Sequence, residues 1–263
     1  MSSINQTQLS SLLDAAAAEG VLNSGSTVLT GNLGAVVLAG AAGTALEDIM
    51  AADVTLITVL IDSSSSIEHS SLSKAVRDGQ NTLVDALAAT KEVDSILLAL
   101  WTFNEQPRVH HSYVPVADAT KLDAKSYRPS GSTSLYDVWV SALTANVAYA
   151  QKLRDGGTPV RSVVVVITDG EDTTSHQSAA ACARLSRDLL ASEQFVLAFV
   201  GVGNEADFRR VARSMGVPDG CVLVQAAASS HALRQVFEMV SRSAIRASQG
   251  LVRPGAQAGF FGP

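Results

Sequence analysis

TLITVLIDSSSS, residues 55–66, is a run of aliphatic and β-branched residues that stops on an aspartate followed by four hydroxyls. Apolar residues at both alternating sets of positions mark a strand buried on both faces, the habit of a central parallel strand. In open α/β sheets, ligands bind just beyond the carboxyl ends of such strands. Asp62, Ser64 and Ser66 stand at that end, and all three offer oxygen. Oxygen donors suit a hard cation such as Mg2+, or Mn2+ or Ca2+, rather than zinc or copper.

Outward from this stretch, strand and helix alternate. Leu72, Val76, Leu83 and Leu87 mark a helix over about 70–90, and 94–103 (DSILLALWTF) is the next strand. Residues 104–106 and a strand-like 108–114 suggest a hairpin. A loop with Arg128, Pro129 and Gly131 leads to a helix carrying Leu135, Trp139, Leu143 and Val147 in register. SVVVVIT, residues 162–168, is a second doubly buried strand, and it too ends in an aspartate, Asp169. A helix over 178–192, a strand over 195–202, a short helix through Phe208, Val211 and Met215, a strand over 221–224 and a final helix through Val236, Phe237 and Val240 complete the series. This predicts an α/β fold: a Rossmann-like, doubly wound, mostly parallel central sheet with helices on both faces.

That domain is expected over 52–247, with a small N-terminal helical or irregular extension over 1–51 and a flexible C-terminal tail over 248–263. In the extension, 6–18 reads as a helix, whereas 28–29 and 35–39 read as strands or packing segments. The tail holds four glycines and two prolines, and its Phe260 and Phe261 read as exposed aromatics.

The composition, 47% hydrophobic and 17% charged, is that of a folded domain. A net charge of −6 argues against a nucleic-acid binder that neutralises phosphates. Residues 1–73 hold seven acids and no Lys or Arg, which argues against a secretory signal peptide. Residues 20–46 are uncharged, but six glycines and several polar residues dilute the stretch, so no membrane span is expected. Cys182 and Cys221 lack the paired spacing of a zinc site and read as buried thiols, consistent with a cytoplasmic location.

Two buried strands ending in aspartate, with Gly131-Ser132-Thr133 at a loop-to-helix junction between them, form the series D-x-S-x-S, a threonine, then T-D-G. This resembles the von Willebrand factor A domain with its metal-ion-dependent adhesion site, over about residues 52–247. The resemblance implies a metal set of Asp62, Ser64, Ser66, Thr133 and Asp169, with serines and threonine as direct ligands and aspartates acting directly or through water. Three neutral hydroxyls and two carboxylates barely neutralise a divalent ion. The expected use is therefore capture of an Asp or Glu carboxylate of a partner protein at an open coordination position. Two positions depart from the family pattern: Ser65 and Ser132 stand where glycines are usual. A left-handed Ser65 would cost about 1–2 kcal/mol.

The closing run 237–248 (FEMVSRSAIRAS) resembles intracellular bacterial members associated with tellurite-resistance and stress operons. Other such proteins act as adaptors beside MoxR-type AAA+ ATPases. Two alternatives compete. One is an enzyme: Asp62, Asp169, Glu171 and Asp172 could hold Mg2+ for hydrolysis or phosphoryl transfer, or a serine could act in hydrolysis with His69 or His176 near the mouth. The chain lacks a phosphate-cradling loop with a lysine and a G-x-S-x-G elbow, so no enzyme is expected. The other alternative is a self-assembling module with a vestigial metal site. His110 and His111 are adjacent on a strand and point to opposite faces, which argues against joint ligation. Arg209, Arg210 and Arg213 read as a solvated face.

Overall fold

The computed structural model describes residues 4–30, 34–255 and 259–262, so parts of the expected extension and tail lie outside the described residues. Six strands form one sheet: β1 (Val54–Asp62), β2 (Ile96–Phe103), β3 (Pro107–Pro115), β4 (Val160–Thr168), β5 (Phe195–Val202) and β6 (Val222–Gln225). Their order is β3-β2-β1-β4-β5-β6, and only β3 runs antiparallel. All nine residues of β1 are buried, as its unbroken apolar run requires. The chain winds from β1 to β2 on one side and reaches β4 on the other, so the switch point lies between β1 and β4.

Helices cover both faces. Those of the described residues are α1 (Gln6–Ala18), α2 (Ser24–Thr30), α3 (Ala35–Gly40), α4 (Ser65–His69), α5 (Ser73–Ala88), α6 (Leu135–Asp155), α7 (Ala179–Ala191), α8 (Phe208–Ser214) and α9 (Ser230–Ser248). α5 packs against α9 on one face, while α6 and α7 pack together on the other. The helix expected over about 70–90 is α5, and the sequence pattern misses the short α4 before it, from which Ser71, with a φ of +54°, divides it.

The extension forms a further layer on α6, α7 and β3. Residues 28–29 and 35–39 fall in helices rather than strands and serve as packing segments, α2 lying against α7 and α3 against α6 and β3. α1 is fixed by a reciprocal cap between Asn5 and Gln8, and Gln151 donates to Glu19 just beyond its end. α3 approaches so closely that a Cβ on Gly40 would lie 2.0 Å from the buried Trp101 ring. Phe260, expected to be exposed, is fully buried; its ring meets Phe261 edge-on, and the Phe261 N–H donates to Gly220 O. Sequence composition cannot register this seat, because it is built from residues of η-turn 219–221 far along the chain.

Trp101 cannot retreat, since it sits within the β2 core. Gly40→Ala is therefore expected to destabilise the fold by about 1–3 kcal/mol. Chemical denaturation measures this, and an unchanged midpoint would refute the close packing of α3 on β2.

Candidate metal centre

Asp62 ends β1, where burial on both faces leaves its carboxylate 1% exposed. Two donors hold it: the Ser64 N–H to Oδ1 at 2.8 Å and the Thr168 hydroxyl to Oδ2 at 2.6 Å. Tyr127, also buried, donates its hydroxyl to the Asp62 carbonyl at 2.6 Å. Burial nevertheless outweighs these bonds, and with the nearby Asp169 charge it lifts the Asp62 carboxyl to about 6. Asp169 is raised as well, again mainly by burial. Two desolvated acids thus face one another across the switch point.

Ser64 caps the start of α4, and Ser66 lies in its first turn. Their hydroxyls are 3.0 Å apart, and Ser66 Oγ donates to Asp169 Oδ1 at 2.7 Å. Ser65 opens α4 in the right-handed region: among described non-glycine residues only Ser71 and Glu193 have positive φ. The strain considered for Ser65 does not arise. Gly131 does adopt a positive φ, +74°, and it is the residue that closes the second loop.

Hydrogen bonds tie the three segments together. The Ser65 N–H donates to Gly131 O at 3.0 Å, and the Ser130 N–H donates to Ser63 O at 2.8 Å. The Thr133 N–H donates to Thr173 Oγ1, while Thr133 O accepts the Thr173 N–H at 2.8 Å. The loop after β4 also caps α6. Asp172 accepts the Tyr136 N–H, Ser175 Oγ accepts the Asp137 N–H, and the Asp137 carboxylate accepts the N–H groups of His176 and Gln177. The backbone of Thr133 is therefore fixed, and its Oγ1 has no hydrogen-bond partner among the described residues. That oxygen lies beside Gly170, 3.8 Å from where a Cβ would be.

Ser64, Ser66, Thr133 and Asp169 line one cavity of about 480 Å³, whose far wall includes Asn204, Glu205 and Ala228. Asp62 lies directly behind them rather than on the wall. Among the described residues, no Lys or Arg lines the cavity. Of the other candidates, Glu171 is paired with Arg210 at 2.8 Å, Asp172 is occupied in capping, and His176 is exposed against Asp137. Arg213 pairs with Asp219, as expected of a solvated face. His110 bonds Thr102 and His111 bonds the Ser112 carbonyl, so the two rings share no ligand position. Among the described residues, no cluster of three or more His, Cys, Asp or Glu side chains could hold a metal. The donor set here is instead hydroxyl-rich, and it fits a hard cation: oxygens converge and, among the described residues, one hydroxyl is unpartnered and two buried acids have no Lys or Arg partner.

A family model described as von Willebrand factor type A domain matches residues 57–243. This chain belongs to that family. Among solved structures, the VWA chain is similar to proximal thread matrix protein 1 from the mussel byssus, with 20% identity and a TM-score of 0.52 over 73% of this chain. A second structure of that mussel protein has a zinc-occupied MIDAS motif (19% identity, TM-score 0.51, 73% of this chain). The PilB minor pilin of Streptococcus sanguinis matches 77% of this chain at 12% identity, with a TM-score of 0.54. This chain spans 46% of the mussel protein and 63% of the pilin, so these likenesses concern the fold. No curated protein matches the chain. Among the described residues, no helix is long and apolar enough to cross a membrane.

The raised Asp62 carboxyl has a consequence for stability. The metal-free native state binds this proton more tightly than the unfolded chain does, so stability is lost as pH rises from about 4 through about 6. The loss by pH 7 is of the order of 3 kcal/mol, and Asp62→Asn should remove it. His110, held down to about 4 by burial, acts in the opposite sense over the same window. The readout is therefore the difference between wild-type and Asp62→Asn denaturation profiles in EDTA. Parallel profiles would contradict the assignment.

Proposed function

We propose that this VWA chain is a metal-dependent protein-interaction module that holds a divalent cation with Ser64, Ser66 and Thr133, supported by Asp62 and Asp169. The observation that carries the reading is the meeting of four side chains bearing oxygen, from three separate segments, at one cavity. Mg2+ is the proposed ion, with Mn2+ or Ca2+ as substitutes, because every donor is a hard oxygen. The zinc found in the mussel relative's motif supports divalent-ion binding by this kind of site.

The protein's own residues divide the work. Asp62 and Asp169 supply negative charge, and the three hydroxyls supply neutral oxygen. With neutral hydroxyls as the direct ligands and the carboxylates behind them, the ion would keep positive charge at its open position, which makes that position receptive to one further anionic oxygen. The proposed ligand is an Asp or Glu carboxylate of a partner protein. Thr173, Asp172 and Ser175 act as positioning residues, since they fix Thr133 and the start of α6 without touching the cation. The wider setting we propose is that of a cytoplasmic bacterial adaptor, in a stress or tellurite-resistance operon or beside a MoxR-type AAA+ ATPase. It is supported by the resemblance of 237–248.

Calorimetric titration with Mn2+ should show one site in the wild type and none in Asp169→Ala. Thr133→Ala should keep its melting temperature yet lose at least about tenfold of Mg2+-dependent partner capture, which EDTA should abolish. Equal recovery of partners by wild type and Thr133→Ala, or in Mg2+ and EDTA, would overturn the reading.

A further inference from the structure

At the opposite end of the sheet from the metal centre lies a second cavity, of about 500 Å³. It opens between residues 48–51, the starts of β1 and β2, and the turn after β3. Ile49, Val54, Val93, Leu97 and Val116 give it an apolar lining, and Met50 stands at its edge, 93% exposed. Asp48 and Asp94 also line it, both exposed and in no ion pair among the described residues.

The other large exposed apolar side chain among the described residues is Leu251, at 64%. It is on the same end of the molecule. Gln249, two residues earlier, donates to the Glu92 carboxylate at 3.3 Å, and Glu92 adjoins the cavity-lining Val93. Arg253, two residues after Leu251, is exposed and makes no ion pair among the described residues. One end of the chain thus presents an apolar knob with a cation beside it, next to an apolar hollow with two anions.

We infer that this end is a self-association surface, on which a second copy seats Leu251 in the cavity beside Met50 and sets Arg253 against Asp48 and Asp94. Knob and hollow lie on one end of the same molecule, so the exchange is reciprocal and closes at two copies about a two-fold axis. Each copy removes the other's exposed Leu251 and Met50 from water, and the charges at the rim set the register. The consequence is geometric. β1 runs nine residues, about 30 Å, from this end to Asp62, so a pair joined here carries its two metal ends facing apart. Such a pair can engage two carboxylates at once, and its apparent affinity for a multivalent partner rises through effective concentration.

Light scattering after size-exclusion chromatography of the 263-residue chain, from about 1 to 100 µM with Mg2+ or with EDTA, tests this. The expected mass is twice 27.3 kDa in both buffers. Leu251→Glu and Met50→Glu should each weaken dimerisation at least about tenfold while circular dichroism is unchanged. Asp94→Arg should weaken it too, and adding Arg253→Asp should restore it. A monomer throughout the range, a dimer indifferent to Leu251→Glu, or a charge swap that fails to restore association would overturn the inference. A dimer lost only in EDTA would place the contact at the metal end, which overturns this surface and leaves the carboxylate-binding reading standing.

Discussion

The arrangement depends on two carboxylates forced out of water with no Lys or Arg paired to them among the described residues. β1 and β4 are neighbouring central strands; β1 ends on Asp62 and β4 is followed at once by Asp169, which brings both acids to the sheet edge at the switch point. A desolvated acid favours its neutral form unless something positive is supplied. The fold supplies hydrogen bonds from Ser64 and Thr168, which oppose burial at Asp62 without cancelling it. The chain therefore stores electrostatic demand at one point, and a divalent ion is the natural way to meet it.

The rest of the upper surface keeps that point open. α4 begins immediately after β1 and turns Ser64 and Ser66 toward Asp169. The loop after β4 folds back over the start of α6, exchanging its own carboxylates and hydroxyls for the helix's unpaired N–H groups. These caps occupy Asp137 and also Asp172, which sequence alone offers as a Mg2+ ligand for an enzyme. Thr133, pinned through its backbone, keeps a hydroxyl without a partner. The proposed ligand set is thus made of polar groups that the loops do not use for capping.

Much of the fold was legible in the sequence because burial on both faces writes an unbroken apolar run. The strand at 195–202 was readable to the residue, and the hairpin of β2 and β3 was legible from Asn104–Gln106. The short helices α2 and α3 were not, since seven and six residues span too little for a helical period to separate from a strand. The seat of Phe260 was invisible for a different reason: its partners come from a turn distant in sequence. At the site, the five proposed ligands could be picked out from three motifs. Tyr127, Thr168 and Thr173 could not, although Thr168 stands inside the T-D-G motif; their roles arise from contacts between segments.

The central claim is that oxygens from three segments share one cation. Anomalous scattering from crystals grown in Mn2+ tests it most directly. The account predicts one strong peak within about 2.0–2.3 Å of Ser64 Oγ, Ser66 Oγ and Thr133 Oγ1, with Asp62 and Asp169 behind it. A metal bound elsewhere, or a cavity that stays empty at saturating Mn2+, would contradict it.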